Sequence, residues 1–411
     1  DDGDVVLAVE PGGVAESYVL DVTADGVTIV GADAAGVFWG TQTLRQLVTA
    51  EGVPAVHVED APRFAWRGLM IDVARHFFTV EDLERQIDLM ALHKLNRLHL
   101  HLTDDQGWRI EIESWPDLTA IGGSTEVGGG PGGFYTQGEY VALVEYAAER
   151  QIIVVPEIDF PGHSHAALAS YAELNESGER EELYTGAGVI STPLWLEGEA
   201  TAGFVEDVWR EVAALTPGEW VHVGGDEAID ATPEQYAAFV TWLQGVVAAE
   251  GKTMIGWDEI GDVALTPPFV AQWWVDHDNA QDAIARGGMM IASPAHHAYL
   301  DMVHDAEATF GQTWAGPVGV RDAYDWEPLP PSVDEDDVLG VEGALWTEYV
   351  DTVERMDFMV WPRLAAHAEI GWTPQALRDW EGFRARLGEH GARLDALGVG
   401  YYRSPEVDWA E

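Results

Sequence analysis

From about residue 63 the chain alternates short apolar runs with amphipathic stretches. The apolar runs are Gly68–Val73, Arg97–Leu102, Ile152–Ile158, Trp220–Val223, Thr253–Trp257, Val270–Trp274, Met289–Ala292 and Val341–Leu345. Helical periodicity fits between them at Val80–Leu95, Gln137–Arg150, Gly203–Leu215, Pro233–Glu250, Asp278–Arg286 and Glu354–Glu369. Eight strands alternating with helices predict an α/β fold of the (β/α)8 TIM-barrel type. A doubly wound open sheet is the alternative. It would carry a G-x-G-x-x-G turn after its first strand, and none follows Val73.

Residues 1–62 read as a small α/β domain ahead of the barrel. Val5–Val9, Tyr18–Val22 and Gly26–Val30 have the look of strands, and Ala34–Thr49 that of a helix with Phe38, Leu44 and Leu47 on its apolar side. Pro54 and Pro62 punctuate the exit. The unit is thin enough to read as clipped at its N-terminus. Residues 63–411 then make the barrel domain, with a C-terminal helix over Gln375–Leu397 and an irregular tail. Thr79 and Asp82 sit where N-cap and N3 of a helix belong. The run Gly128–Gly133 lacks the Gly-Lys-Ser/Thr ending of a phosphate loop and is expected to be mobile.

Charge excludes several functions. Against 72 Asp and Glu stand 21 Lys and Arg, a formal charge of −51. Such a surface repels nucleic acid and anionic membranes. It also repels itself, so a halotolerant, salt-screened surface is expected. Without cysteine, neither a disulfide framework nor a thiolate metal site is available. No apolar run approaches the ~18 residues of a membrane span. No signal sequence is visible from Asp1 onward. A secreted or extracytoplasmic location is the expectation, with a cytoplasmic one as the alternative.

In a barrel of this kind chemistry sits at the C-terminal strand ends. Here those ends carry Asp72, Arg75 and His76; Thr103, Asp104 and Asp105; Glu157, Asp159 and His163; Asp226 and Glu227; Trp257, Asp258 and Glu259; Trp273 and Trp274; Tyr299 and Asp301; Trp346 and Glu348. Tryptophan beside carboxylate suits sugars, whose C–H faces take aromatic rings and whose hydroxyls take Asp, Glu and Arg. The segment His222-Val223-Gly224-Gly225-Asp226-Glu227 stands out, because two acids at the tip of one buried strand are costly unless used or paired. Read alone, Asp226 could equally be a helix N-cap.

Neighbouring strand residues point to opposite faces. Asp226 and Glu227 are therefore poorly placed as the facing pair of a conventional glycosidase, whose carboxyls stand ~5–9.5 Å apart across the bond. They can act side by side if the nucleophile comes from the substrate. The carbonyl oxygen of a 2-acetamido group can attack C1 of its own sugar at high effective molarity. One carboxylate then orients the acetamide while its neighbour protonates the leaving oxygen.

With these residues assembled, the chain resembles the β-N-acetylhexosaminidases of glycoside hydrolase family 20. The segments WRGLMIDVARHFF, LHLHLTDDQGWRIEI, STEVGGGPGGFYT, VVPEIDFPGHSHAALASYAEL, HVGGDE and ALWTE carry the likeness, in order, across the barrel. The family is among the substrate-assisted exceptions to two-carboxylate hydrolysis. The resemblance implies a retaining exo-enzyme that removes terminal β-linked N-acetylglucosamine or N-acetylgalactosamine from an oligosaccharide, with no cofactor and no metal. It makes Glu227 the general acid/base and Asp226 the residue that orients the acetamide N–H. Tyr299 would bond the acetamide carbonyl, and Trp257, Trp274 and Trp346 would wall its pocket. Arg75 would hold O3 and O4, Asp301 and Glu348 would bind O4 and O6, and Trp314 would stand near the entrance. Asp104 and His163 would relay to Glu227. To donate near neutral pH, Glu227 has to hold a proton, which burial and Asp226 beside it would favour. Some relatives have cysteines near Asn175–Glu176 and Ser191–Leu196; this chain has none, so that loop lacks a possible staple.

Two rivals remain. His99-Leu100-His101 matches the H-x-H of metal-dependent barrel hydrolases, with His163, His222 and Asp226 as further ligands, although hydrogen-bonded inward histidines explain the pair as well. A non-catalytic sugar-binding module would be marked by loss of the acid, and Glu227 is present.

Overall fold

The computed structural model describes residues 4–49, 51–275 and 277–410. The N-terminal part contains β1 (Asp4–Val9), β2 (Tyr18–Thr23), β3 (Gly26–Gly31), α1 (Ala34–Leu47) and β4 (Val56–Asp60). Its sheet runs β1-β3-β2-β4, with β1 parallel to β3 and β2 antiparallel to both of its neighbours. The fourth strand escapes the sequence reading because only Val56 and Val58 of its residues are apolar. Asp33 caps α1 by accepting from Gly36 N, and the helix lays Trp39 on Leu20 and Ile29.

The barrel strands are β5 (Trp66–Asp72), β6 (Arg97–His101), β9 (Ile153–Glu157), β10 (Trp220–His222), β11 (Thr253–Trp257), β12 (Val270–Trp273), β13 (Met289–Ala292) and β14 (Val338–Leu345). They are all parallel and close through β14 on β5. A small hairpin, β7 (Thr103–Asp104) with β8 (Gly107–Trp108), projects beyond β6. The surrounding helices are α2 (Val80–Leu92), α3 (Gln137–Ala148), α4 (His165–Ser170), α5 (Glu199–Leu215), α6 (Pro233–Ala249), α7 (His277–Ala285), α8 (Ala295–Ala298), α9 (Val353–Val360), α10 (Arg363–Trp372) and α11 (Trp380–Ala396). This is the closed (β/α)8 architecture with a small α/β unit before it.

Local chemistry sets the helix limits. Capping boxes open α2 (Thr79, Asp82), α3 (Thr136, Glu139) and α6 (Thr232, Gln235), which satisfies the free N–H groups of each first turn. The helix expected over Glu354–Glu369 is instead two, α9 and α10, which part at Pro362 because proline has no N–H to continue the ladder. The helix expected from Gln375 begins only at Trp380, where Asp379 accepts from Gly382 N.

The N-terminal unit sits at the strand starts. Glu16 accepts from Trp39 Nε1 (2.7 Å), Arg67 Nη2 (2.5 Å) and Asn96 Nδ2 (3.1 Å). Trp372 of α10 packs into the small unit's own core. The opposite end, where the strands finish, is left open. There Gly128–Gly133 is tied down rather than loose: Gly128 N donates to Thr185 O and Gly133 N to Gly123 O, while Arg109 Nη1 donates to Gly133 O. Hydrogen bonds also clasp the cysteine-free loop. Asn175 Nδ2 donates to Leu168 O and Tyr171 O, and Trp195 N to Leu174 O. Asn175 is thereby buried, its amide turned away from solvent. Among the described residues, no helix is long and apolar enough to cross a membrane.

Candidate active site

A cleft of about 320 Å3 lies at the C-terminal strand ends. Ten of the residues singled out in the sequence line it: Arg75, His163, Asp226, Glu227, Trp274, Tyr299, Asp301, Trp314, Trp346 and Glu348. Asp104 and Trp257 do not reach it. Ala187, Val189, Val275 and Gln312 also line it, and no motif flagged them, because isolated small, apolar or amide residues in loops carry no chemical signature.

Asp226 and Glu227 are delivered by a turn, not by a strand face. Strand β10 stops at His222. Gly224 and Gly225 then take φ of +67° and +93°, and Glu227 itself +45°. Gly225 N donates to Asp159 Oδ1 (3.0 Å), and Tyr236 Oη donates to Gly225 O (2.6 Å). A Cβ on Gly224 would stand 1.7 Å from Asp159 Oδ1, so only glycine allows this approach. Strand alternation therefore does not govern Asp226 and Glu227, and both side chains face the cleft. No helix begins here either: the next one, α6, starts at Pro233. The Asp226 side chain is 8% exposed and that of Glu227 38%, so Glu227 is far less buried than the sequence reading required.

His163, at φ +47° after β9, faces both acids. Its Nε2 lies 3.3 Å from Glu227 Oε2 and 3.5 Å from Asp226 Oδ2, while Nδ1 lies 3.2 Å from Asp104 Oδ1. Burial disfavours its charge, but Asp104 and Asp226 outweigh burial and hold the ring well above the usual imidazole range. Asp159, behind the turn, is pushed well above the carboxylate range by burial and by Asp226.

Arg75 is fixed from several sides. Its Nη1 stands 2.9 Å from Asp104 Oδ2 and 3.2 Å from Asp72 Oδ2, its Nε donates to Gln106 Oε1 (3.1 Å), and its guanidinium lies 5.0 Å from the Trp346 ring centre. Asp72 also accepts from Ala74 N and Thr347 N, which ties the ends of β5 and β14 together.

The aromatic side is a basket. Trp274 and Tyr299 lie nearly parallel (9°) with centroids 6.2 Å apart, and Trp314 stands edge-on to both. Trp346 is 6.1 Å from Tyr299. Of the Trp273-Trp274 pair, Trp274 lines the cleft and Trp273 packs outward beside Met290 and Ala292. Asp258 Oδ2 accepts from the backbone N of Trp274 and of Val275, and Glu259 Oε2 accepts from the Trp274 indole (3.1 Å). Trp257 is fully buried, lies tilted against Trp346 with ring centres 5.6 Å apart, and donates Nε1 to Glu157 Oε1 (2.9 Å).

Three residues that line the cleft each carry a buried oxygen with no hydrogen-bond partner in the protein: Asp226 Oδ1, Asp301 Oδ1 and Glu348 Oε2. Such atoms are expensive to bury unless a ligand completes them. Burial, then Glu348, pushes Asp301 well above the carboxylate range; burial also raises Glu348, though Arg75 opposes it. Burial and Asp226 raise the Tyr299 phenol, which keeps it a donor. The His-x-His pair is occupied by carboxylates. His99 lies between Glu342 (2.8 Å) and Glu157 (3.0 Å), and His101 between Glu157 and Asp104 (2.6 Å each). His99, Glu157 and His222, and likewise His101, Glu157 and Asp159, lie within ligand distance of one another, and a metal there would have to take the place of the protons that these pairs share.

Comparison with known proteins agrees with this geometry. The glycosyl hydrolase family 20 catalytic domain matches residues 64–238 and 229–375, and that family's domain 2 matches residues 2–61. A β-N-acetylhexosaminidase of Cellulomonas fimi is 46% identical over 96% of this chain and 82% of its own. The GH20 β-N-acetylhexosaminidase structure from Streptomyces coelicolor A3(2) superposes with a TM-score of 0.96 at 44% identity, covering 100% of this chain and 87% of that one. A mutant Streptomyces plicatus β-hexosaminidase in complex with its product, GlcNAc, gives 0.96 at 45%, covering 100% and 86%.

Proposed function

The chain belongs to glycoside hydrolase family 20, and from that premise we infer how its cleft works. It is an exo-β-N-acetylhexosaminidase, which removes terminal N-acetylhexosamine by substrate-assisted catalysis with retention at C1. The observation that best supports a sugar-sized polar guest is the set of unpartnered buried carboxylate oxygens on Asp226, Asp301 and Glu348, set against an aromatic basket.

In this reading Asp226 accepts from the acetamide N–H and the Tyr299 hydroxyl donates to its carbonyl. Together they hold the carbonyl oxygen against C1. Trp274 and Trp346 wall the acetamide, with Trp257 packed against Trp346 and Trp314 at the mouth. Arg75 holds O3 and O4. Asp301 and Glu348 take O4 and O6; with their proton affinities raised, each can share a proton with a hydroxyl. The acetamide oxygen bonds to C1 as the C1–O bond to the leaving group breaks. Glu227 gives its proton to the departing oxygen. Water then attacks C1 of the oxazolinium-type intermediate and returns a proton to Glu227, and the acetamide reforms. Charge on the intermediate falls beside Asp226, which stabilises it. His163, backed by Asp104, keeps Glu227 oriented through both steps.

A thiazoline that mimics the bicyclic intermediate should inhibit at least 100-fold more tightly than the N-acetylhexosamine product, about 2.7 kcal/mol. Inhibition no tighter than product would remove the substrate-assisted step. This is read from competitive inhibition constants.

A further inference from the structure

Below the cleft the barrel axis holds ionisable groups where branched aliphatic side chains ordinarily stack. They form a column of close contacts, in which the His99 Nε2 and His163 Nε2 atoms face carboxylates at ion-pair distance without a hydrogen bond. Glu342 of β14 meets His99 Nδ1 of β6 at 2.8 Å, and His99 Nε2 lies 3.0 Å from Glu157 Oε2 of β9. The same Glu157 oxygen is 2.6 Å from His101 Nδ1, and His101 Nε2 is 2.6 Å from Asp104 Oδ2. Asp104 Oδ1 meets His163 Nδ1 at 3.2 Å, and His163 Nε2 faces Glu227 at 3.3 Å. Every member below Glu227 is at most 3% exposed.

Donor counting assigns charge within the column. An ionised carboxylate only accepts, so a ring with carboxylate oxygens on both nitrogens carries two N–H groups. His101 hydrogen-bonds Glu157 through one nitrogen and Asp104 through the other, which makes it an imidazolium. Burial opposes that charge, yet Glu157 and Asp104 override it and hold the ring well above the usual range. Burial likewise opposes charge on His99, and Glu342 and Glu157 lift it to about 9. Around His101 the titratable and charged groups are Glu157 from β9, Asp159 just after it, Asp104 from β7 and, across Asp104, Arg75 after β5; the Trp346 ring stands edge-on at 4.9 Å. His222 of β10 shares Glu157 at 3.0 Å. Around His163 are Asp104, Asp226 and Glu227, with Asp105 and Asp159 acting on it from further off.

We propose that His101 and Glu157, which touch no substrate, are positioning residues for the reaction: the buried column sets the pH at which the acid above it loses its proton. The mechanism is electrostatic. The positive ring of His101 and the guanidinium of Arg75 share the Asp104 carboxylate, and so limit its pull on His163 and Glu227. His163 Nε2 lies within 3.5 Å of both Asp226 and Glu227, so a charge beneath the ring acts on all three groups. Whichever member releases the proton, removing a positive charge beneath them raises the apparent pKa and removing a negative one lowers it.

The inference rests on the hexosaminidase reading, and its test separates the two. The pH profile of kcat/KM on an aryl N-acetyl-β-glucosaminide is measured for the wild type, His101→Gln and Glu157→Gln. His101→Gln should move the alkaline limb upward, and Glu157→Gln, in which the imidazole nitrogen resonances are read to show that His101 and His99 still carry their charge, should move it downward, each by about half a pH unit or more. Rates that fall while both limbs stay in place, or move the same way, overturn the column and show a structural role only. If His101→Gln does not fold, the isosteric Glu157→Gln decides alone. Independently, the imidazole nitrogen resonances of the folded wild type should show His101 doubly protonated from pH 5 to 8; a neutral tautomer overturns the assignment. A wild type inactive on the substrate would instead remove the hexosaminidase reading.

Discussion

Glu227→Gln is expected to cut kcat by about 10²- to 10⁴-fold, roughly 3–5 kcal/mol, on a substrate with a poor leaving group such as another sugar. Glutamine keeps the shape and sits on the same Gly224-Gly225 turn, so the site should remain assembled. What disappears is the proton delivered to the departing oxygen. An activated aryl glycoside departs without that help, so its first step should be nearly spared. The leaving-group dependence identifies the acid and separates it from general damage. A sugar-binding module would show no turnover in the wild type. An acid placed elsewhere would leave Glu227→Gln fully active.

Asp226→Asn should behave differently. Asp226 Oδ1 is buried and without a protein partner, and Asp226 lines the same cleft as the aromatic basket where the acetamide is placed. Asparagine removes the negative charge that steadies the N–H as the carbonyl attacks C1. Losing one preorganised charged group of this kind costs on the order of 10²–10³ in rate. Because Asp226 acts on the nucleophile and not on the leaving oxygen, the loss should be about equal for aryl and sugar leaving groups. Kinetics of both variants on the same two substrates give the comparison. A loss for Asp226→Asn confined to poor leaving groups would exchange the two roles.

The barrel was legible because each strand is an apolar run long enough to stand out, and because strand ends that carry Asp, Glu and Trp together are rare as packing. Thr253–Trp257 and Met289–Ala292 match the sequence reading at both ends. Strand β4 is hidden by its alternating charges, and the break at Pro362 by an apolar pattern that runs through it. At the site, residue identity outran geometry. Asp226 and Glu227 were read as consecutive strand residues, whereas positive φ at Gly224, Gly225 and Glu227 turns them into the cleft together. Two glycines before two acids carried that signal. Trp257, at the end of its strand, is fully buried beside Trp346. The column was half visible: His99 and His101 alternate on one strand and so share the barrel interior, but their link through Glu157 to Asp104 needs the packing of β6 against β9.

The central claim is that the substrate supplies the nucleophile. It is tested most directly by replacing the acetamide of one aryl N-acetyl-β-glucosaminide with mono-, di- and trifluoroacetamide and measuring kcat/KM. Each fluorine withdraws electrons from the carbonyl oxygen while barely changing the size of the group. If that oxygen attacks C1, kcat/KM should fall at every step, by on the order of 10³ or more over the series, about 4 kcal/mol. A series that stays flat would place the nucleophile on the protein and contradict the account.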